Sequence, residues 1–312
     1  MLRLQSSWLL EAAAEHAGVD SLFFPYFHRF SALNWLSRKE ITLYLNSPVD
    51  SQAMLARAWI NCRDGGFGER NLQKFNQVIK KPLELDLNPF RTWKDRFFGS
   101  QQLDYLFYWR EAAYEIEDEK QREIFWSVVY QIISYWVANQ KAGTRIIYEP
   151  DQIMAYYLNQ HQRFVRGRSG RVEISCIPLE ELAAGKNPLI VFPLLFEDEE
   201  NSETELQIIY HAWFHGYADL EQSRRDLRNI LRHYLISFEK SSDWSLFVRL
   251  AAGADSAALT WSGRDLPPKI YEQELIGPMR QAFSAAYKSS RLTYKAVDRT
   301  CDAYDYLLMF HN

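Results

Sequence analysis

Short apolar runs alternate with helical periodicities over the first 61 residues of the chain. Apolar residues recur three and four positions apart in 2–17, which predicts a helix. The runs 22–24 and 41–45 are short, rich in aromatic or β-branched residues and followed by a proline, so we predict two buried strands. The segment 31–39 fits a short helix between them, and Asp50–Asn61 fits a helix after the second. This β-α-β-α order predicts a mainly parallel sheet.

The middle of the chain has a different pattern. Apolar positions keep a helical period over 101–117 and over 120–140. Both helices carry more Trp and Tyr residues than one buried stripe needs, so we predict that part of their surface contacts a protein partner. We therefore divide the chain into an α/β domain, formed by 1–63 and 163–312, and a helical insertion formed by 64–162.

Strand-like patterns return after the helical insertion. The predicted elements are strands at 172–177, 189–192, 244–250, 257–261 and 303–310, a long helix at 202–237 and a further helix at 272–288. Together with the first 63 residues, this order predicts a three-layer α/β fold with a Rossmann-like sheet and a helical insertion.

Composition limits the class of protein. Hydrophobic residues make up 47% of the 312 residues and charged residues 24%, which excludes most disordered chains. The 36 Lys and Arg residues against 40 Asp and Glu residues leave a net charge of -4, so the chain is not a globally basic nucleic-acid binder.

Cysteine usage and hydropathy bear on the cellular compartment. Cys62, Cys176 and Cys301 form neither a CxxC metal motif nor a disulfide framework, which favours a reducing compartment. No apolar run approaches the roughly 20 residues of a membrane helix. The segment 1–17 contains acidic residues among its apolar ones, unlike a signal peptide. We expect a soluble cytoplasmic protein that does not associate with a membrane.

Three segments at strand ends carry a resemblance to a known family. Residues 24–30 read Phe-Pro-Tyr-Phe-His-Arg-Phe, residues 44–48 read Tyr-Leu-Asn-Ser-Pro, and residues 192–195 read Phe-Pro-Leu-Leu. With the order of elements around them, they resemble the class I methyltransferase fold, most closely the adenine-N6 DNA methyltransferases. The corresponding motifs of that family are Asp-Pro-Phe-x-Gly-x-Gly, Asn-Asp-x-Asn-Pro and Asp-Pro-Pro-Tyr.

The resemblance implies a methyltransferase-type sheet with two loops at one edge. The implied cofactor loop, which in the family holds S-adenosylmethionine, corresponds here to Pro25, Tyr26, His28, Phe30 and Asn46. The implied catalytic loop corresponds to Phe192, Pro193, Leu194 and Leu195.

Both loops lack residue types that the family's motifs use for cofactor binding and catalysis. His28 and Phe30 stand where glycines let the backbone lie close to the cofactor. Leu45 stands where an acidic residue accepts hydrogen bonds from the ribose hydroxyls, and the neighbouring Asn46 substitutes only in part. Phe192 lacks an acceptor for a target amino group, and Leu195 lacks the ring that stacks on a flipped base. Because each lost polar contact costs roughly 1.5–3 kcal/mol, we expect a pseudoenzyme without a cofactor.

Two classes of function remain, with a third, weaker one. The first is a catalytically silent methyltransferase-like protein for binding or assembly, such as the non-catalytic partner in a DNA-modification system. The second is a divergent S-adenosylmethionine-dependent adenine-N6 DNA methyltransferase whose polar groups are His28, Asn46, Glu197 and Asp198. The third is a sequence-tolerant nucleic-acid binder. On the residues alone, the strand ends fit the core of an unrelated α/β protein better than a relic cofactor site. The order of the elements makes the two interpretations equal.

Clusters of charged residues give further candidates. The phosphate contacts of the third hypothesis lie on a glycine-bearing segment, and a solvated loop that faces an acidic partner fits them equally well: Arg163, Arg166, Arg168 and Arg171. The arginines of 224–232 are interspersed with acidic residues, which favours a salt-bridged solvent face. The acidic run 197–205 favours capping of the helix that follows over a cation site.

One histidine pair has a spacing that can chelate a metal ion. His211 and His215 lie four residues apart on a predicted helix. No glutamate stands between them as in a zinc hydrolase, and the sequence offers no identifiable third ligand. We therefore predict a packed histidine pair and no metal site.

Overall fold

The chain forms two compact units, which are described separately. The α/β unit contains Met1–Ala53, Gly167–Glu199 and Ile230–Asn312, and the helical unit contains Met54–Arg166 and Glu200–Asn229. The helical unit thus includes the predicted insertion and also 54–63, 163–166 and 200–229, which the sequence-based division assigns to the α/β domain. The computed structural model describes residues 18–26, 41–61, 87–94, 96–141, 152–156, 171–182, 187–193, 195–196, 202–232, 235–236, 245–263, 277, 288–295 and 302–311.

The secondary structure of the described residues follows the predicted α/β composition. The strands are β1 (Ser21–Phe24), β2 (Thr42–Asn46), β3 (Val172–Ser175), β4 (Asn187–Pro193), β5 (Leu195–Phe196), β6 (Leu235–Ile236), β7 (Ala254–Gly263), β8 (Lys288–Lys295) and β9 (Asp302–His311). The helices are α1 (Asp50–Asn61), α2 (Ser100–Tyr114), α3 (Glu119–Lys141), α4 (Ser202–His215), α5 (Leu220–Leu231) and α6 (Ser245–Ala251). Of the helices in the described part of the chain, none combines the length and the hydropathy that a membrane crossing requires.

Seven strands form a mixed, mostly parallel sheet in the order β3-β2-β1-β4-β7-β9-β8. Neighbours from β3 to β7 run parallel, and β9 runs antiparallel to both β7 and β8. When the strands of this sheet are numbered along the chain, β7, β8 and β9 become the fifth, sixth and seventh, and the order reads 3-2-1-4-5-7-6. The predicted parallel α/β sheet is therefore confirmed at the level of fold class.

The burial of the central strands explains why their sequences read as apolar runs. β4 lies between β1 and β7, and its residues Leu189 to Pro193 are all buried, as expected for a parallel strand covered on both faces. β1 alternates half-buried and buried residues. In β2 the side chain of Tyr44 is 36% exposed while Leu43 and Leu45 are buried. The core of this unit is thus thickest along β4 and β7.

Two predicted elements differ from the structure, and one strand was not predicted. The run 244–250 forms the helix α6 instead of a strand, because its buried residues Leu246, Phe247 and Leu250 follow a helical spacing. The segment 202–237 contains two helices, α4 and α5, instead of one, because the chain turns at Gly216. The strand β8 was not predicted, since its polar sequence Lys-Ser-Ser-Arg-Leu-Thr-Tyr-Lys lacks the apolar alternation of a typical strand.

Aromatic side chains form much of the core of the helical unit. The rings of Trp109 on α2 and Trp136 on α3 are stacked, with centroids 5.6 Å apart and an interplanar angle of 19°. Phe98 packs edge-on against Trp136, and Trp93 lies 6.3 Å from Phe98 between ring centroids. These four side chains and Trp126 are buried. Of the aromatic residues on α2 and α3, Trp109, Trp126 and Trp136 thus pack inside this unit, whereas Tyr105, Tyr108, Tyr130 and Tyr135 are half-buried.

Helix α4 ends in a turn that depends on a glycine. Gly216 has a φ of 74°, and the N–H of Tyr217 donates to the carbonyl of Ala212 at 2.8 Å, a Schellman-type helix end. The Nε of Arg110 donates to the carbonyl of Trp213 at 3.1 Å, which places a cation at the negative end of the helix. A Cβ atom at position 216 would lie 2.8 Å from Cζ of Arg110.

We expect Gly216→Ala to lower the free energy of unfolding by about 2 kcal/mol, because the new methyl group combines an unfavourable φ with a contact against Arg110. Gly18 is the matched control, since it has a φ of 63° and no heavy atom within 4 Å of a built Cβ. Gly18→Ala should cost about 1 kcal/mol from the backbone alone. Urea unfolding of both variants measures the difference; equal costs would remove Arg110 from the explanation.

A buried carboxylate joins α1 to α3 within the helical unit. Glu123 is 3% exposed, and its two carboxylate oxygens accept hydrogen bonds from Nε of Arg57 and, at 2.8 Å, from Nδ2 of Asn61. Burial raises the pKa of the Glu123 carboxyl above its ordinary value of about 4.5, and the charge of Glu119 acts in the same direction. The hydrogen bond and charge of Arg57 oppose this shift without cancelling it.

The raised pKa of Glu123 gives a pH dependence with a definite sign. Between the ordinary value of about 4.5 and the raised pKa, the folded chain holds a proton that the unfolded chain has released. Rising pH through this window therefore lowers the free energy of unfolding of the wild type relative to Glu123→Gln. Urea unfolding of both proteins in a pH series measures this difference, with the exposed Glu117→Gln as control. A difference that stays constant with pH would contradict the prediction.

Candidate functional site

The carboxyl ends of the parallel strands are the part of the α/β unit where a ligand site is expected. In open α/β sheets, ligands bind outside these ends, at the point where the strand order reverses. The order reverses here between β1 and β4, which pair through Phe23 and Ile190. The described residues of the segments that the resemblance identifies as cofactor and catalytic loops lie at the ends of β1, β2 and β4, and therefore at this carboxyl edge.

Asn46, the last residue of β2, joins three strand ends at this edge. Its Nδ2 donates to the carbonyl oxygens of Pro25, at 2.9 Å, and of Ile177, at 3.0 Å. Its Oδ1 accepts from the hydroxyl of Ser175, at 2.8 Å, and from the N–H of Ile177, at 3.0 Å. We call these four residues the Asn46 cluster.

The Asn46 cluster uses the whole hydrogen-bonding capacity of one amide side chain. An asparagine amide has two N–H donors and two acceptor lone pairs, and all four are engaged by the contacts above. The side chain is also completely buried. Asn46 therefore has no hydrogen-bonding position left for the ribose hydroxyls of a cofactor, although the sequence suggested it as a partial substitute for the missing acid.

The turn after Asn46 is tied to β3 by further hydrogen bonds. The N–H of Ser47 donates to the carbonyl of Ser175 at 3.1 Å, and the N–H of Val49 donates to the hydroxyl of Ser47 at 3.3 Å. The carbonyl of Val49 then accepts from the N–H groups of Gln52 and Ala53, which begins α1. Hydrogen bonds of Ser47, Ser175 and Val49 thus fix the backbone between β2 and α1. In the family that the sequence resembles, a cofactor loop would need space at this position.

Apolar side chains fill the reversal point between β1 and β4. Tyr26 and Phe192 are fully buried, and Pro25 and Pro193 are buried beside them in sequence. The ring of Phe192 packs edge-on against Phe247 of α6, with centroids 4.8 Å apart and an interplanar angle of 85°. Phe192 therefore points into the core of the α/β unit and has a structural role there.

The implied catalytic loop is partly a strand. Directly after Pro193 and Leu194, β5 pairs in parallel with β6 through Leu195–Leu235 and Phe196–Ile236. A backbone held in this way is less able to rearrange around a flipped base than an open loop is. Leu194 itself, His28 and Phe30 lie outside the described residues.

Of the four arginines proposed to contact phosphates, the structure describes one. Arg171 precedes β3, so it lies at the amino edge of the sheet, opposite the Asn46 cluster. Its NH2 group pairs with Oε1 of Glu173 at 2.7 Å, and both side chains are exposed. Arg163, Arg166 and Arg168 lie outside the described residues.

The histidine pair of the helical unit is packed among aromatic rings. The ring centroids of His211 and His215 are 4.4 Å apart, and His215 stacks on Tyr217 at 5.3 Å with an interplanar angle of 19°. His211 is buried, whereas His215 is half-buried. These rings give the two histidines packing partners within α4 and the turn that follows it.

Three described residues of this edge offer no open hydrogen-bonding atom of their side chains to a ligand. Leu45 and Phe192 have no polar side-chain atom, and the amide of Asn46 is already saturated. The sequence alone missed the residues that saturate it, Ser175 and Ile177, because they lie about 130 positions further along the chain and hydrogen bonds at such separation leave no local pattern.

We expect Asn46→Asp to lower the free energy of unfolding by about 3 kcal/mol, because a buried carboxylate would face the carbonyl oxygens of Pro25 and Ile177 without a donor. Ser175→Ala is the control: it removes one hydrogen bond to Asn46 and should cost about 1 kcal/mol. Urea unfolding measures both. An Asn46→Asp variant as stable as the wild type would show that the amide donors are dispensable.

Comparison with protein-family models and with curated proteins gives no match. No protein-family model matches the chain, and no curated protein matches it at a significant level.

Proposed function

We propose that this chain is a class I methyltransferase-like protein that does not transfer methyl groups and that acts by binding a protein partner, as the non-catalytic member of a DNA-modification system. The observation that carries the proposal is the saturated amide of Asn46 at the strand end where a working relative binds its cofactor.

The strand order supports the relation to methyltransferases. The sheet has the order 3-2-1-4-5-7-6, with its seventh strand, β9, inserted antiparallel between the fifth and the sixth. The class I methyltransferase fold that the sequence resembles has this strand order and this single antiparallel strand. Because many doubly wound sheets end without such a strand, the agreement is more specific than a general α/β likeness.

The residues after β2 support the loss of cofactor binding. A cofactor ribose needs acceptors at this strand end, and the side chain of Leu45 has none. Asn46 would have to break hydrogen bonds to Pro25, Ser175 or Ile177 before it could bind a ligand. Each buried group left unpaired in this way costs about 1–3 kcal/mol, which would be subtracted from the affinity.

The residues after β4 support the loss of methyl transfer. A target amino group needs an acceptor beside the methyl donor, whereas Phe192 offers an apolar ring that is buried against Phe247. The pairing of β5 with β6 also restrains the backbone that would have to close around an extruded base. Both the binding step and the chemical step thus lack their polar groups among the described residues.

A chain with this fold that neither binds the cofactor nor transfers a methyl group can still act by binding a partner. Function resides in sites carried by a fold, and one fold can serve unrelated roles. The resemblance to adenine-N6 DNA methyltransferases suggests the role of a non-catalytic subunit beside an active enzyme, since such a subunit needs the scaffold and not the cofactor.

Two measurements test the absence of methyl transfer. Calorimetric titration with S-adenosylmethionine should give no heat of binding, and incubation with tritiated S-adenosylmethionine and adenine-containing DNA should give no transfer of label. The physical reason is the missing acceptor set at the carboxyl edge. An active adenine methyltransferase in the same buffers shows that both assays work.

Micromolar binding of S-adenosylmethionine would contradict the proposal that the chain is catalytically silent. It would favour the divergent methyltransferase instead. In that event, Tyr26→Ala at the carboxyl edge should weaken binding, and Arg171→Ala at the opposite edge should leave it unchanged. Equal effects of the two substitutions would place the ligand away from the edge.

A further inference from the structure

β3 is an outermost strand of the seven-stranded sheet, and among the described strands it pairs with β2 alone. The carbonyl of Arg171, directly before β3, accepts from the N–H of Leu43 on β2 at 2.8 Å. Because the backbone groups of successive residues in a strand point to opposite sides, the N–H and carbonyl groups of Val172 and Ile174 point away from β2. No strand of the described part of the chain pairs with these groups.

The apolar side chains of β3 are only partly covered. Val172 and Ile174 are half-buried, whereas their register partners on β2 are 0% exposed at Leu43 and 2% exposed at Leu45. The apolar face of the sheet thus continues to its outermost strand, where part of it remains accessible to solvent. A further strand on the outer side of β3 would cover this apolar surface, which is favourable.

The other face of β3 presents a cation and an anion two positions apart. Glu173 is the register partner of the exposed Tyr44 on β2, and NH2 of Arg171 contacts Oε1 of Glu173 at 2.7 Å. The side chains of Arg171 and Glu173 are 75% and 46% exposed, and an exposed pair of this kind contributes little to stability. Both charges can therefore interact with a strand that pairs with the outer side of β3.

We infer that two copies of this chain associate through β3, with the two strands antiparallel across a twofold axis at Val172. In this register, the outward N–H of Val172 in each copy donates to the carbonyl of Val172 in the second copy. Arg171 of each copy lies opposite Glu173 of the second copy. These residues form the pairs without mutual backbone hydrogen bonds, in which side chains approach most closely, and opposite charges are favourable there.

The other registers and the other outermost strand are less complementary in charge. A twofold axis at Glu173 would set two carboxylates directly opposite each other, which is destabilising. An axis at Ile174 would set Arg171 opposite Ile177 of the second copy, with no carboxylate facing it. The sequence of β8 contains two lysines, one arginine and no acidic residue, so β8 is not complementary to a second copy of itself.

Self-association through β3 goes beyond the proposed function and does not depend on it. The strand pairs along its outer side, whereas the Asn46 cluster lies at the carboxyl ends of the strands. Calorimetry with S-adenosylmethionine therefore tests the one claim, and the association state of the chain tests the other.

Sedimentation equilibrium of the full chain over a concentration series measures the association. The wild type should show a reversible equilibrium between monomer and dimer. Arg171→Glu and Glu173→Arg each place like charges opposite one another, and each should raise the dimer dissociation constant about tenfold. An equimolar mixture of the two variants should regain the association of the wild type, because every carboxylate in the mixed dimer again lies opposite a guanidinium group.

The matched controls carry the same charge changes at exposed positions of the helical unit. Lys120→Glu and Glu117→Arg should associate as the wild type does. Val172→Pro removes the outward N–H of β3 without removing a donor to β2, and a proline is tolerated at such a position of an outermost strand. This variant should remain monomeric, and circular dichroism of every variant shows whether the fold is retained.

Four outcomes would overturn the inference. The wild type could be monomeric at every concentration, or the mixture of the two charge variants could associate no better than each variant alone. The control variants could lose association to the same degree as the β3 variants, which would indicate an effect of overall charge. Finally, a folded Val172→Pro variant that associates like the wild type would assign the dimer to another surface.

Discussion

The four hydrogen bonds of one buried amide hold together the strand ends that matter most in this sheet. Asn46 binds the backbone after β1 through Pro25 and both sides of the turn after β3 through Ser175 and Ile177. A buried amide that is fully satisfied stabilises its surroundings, and the same amide with a missing partner destabilises them. Asn46 can therefore bind a ligand at this edge only if it first gives up some of these hydrogen bonds, which costs free energy.

The helical unit is held together by a different kind of interaction. Its interior is built from large rings, such as the stacked Trp109 and Trp136, and from a small number of polar links, such as the carboxylate of Glu123 with Arg57 and Asn61. Aromatic packing gives a large apolar contact area with defined geometry.

Local patterns were enough to predict much of the fold. The strands β1, β2, β4, β7 and β9 and the helices α1, α2 and α3 follow from apolar periods and prolines in the sequence. The helix α6 was predicted as a strand because a run of seven residues is too short for its period to separate the two. The break at Gly216 was missed because the apolar period continues on both sides of it, although a glycine is a common helix stop. For the site, the sequence identified Asn46 but not its partners, which are brought near only by the pairing of β2 with β3.

The insertion of β9 between β7 and β8 has a consequence for how this sheet forms. β8 pairs with no strand of the described sheet other than β9, and β9 follows it in the chain. During synthesis, β7 and β8 thus emerge from the ribosome with their shared neighbour still missing, and each presents unpaired backbone groups. The edges of β7 and β8 that face each other across β9 stay unpaired until residues 302–311 join the sheet, and unpaired strand edges are sites of association between chains.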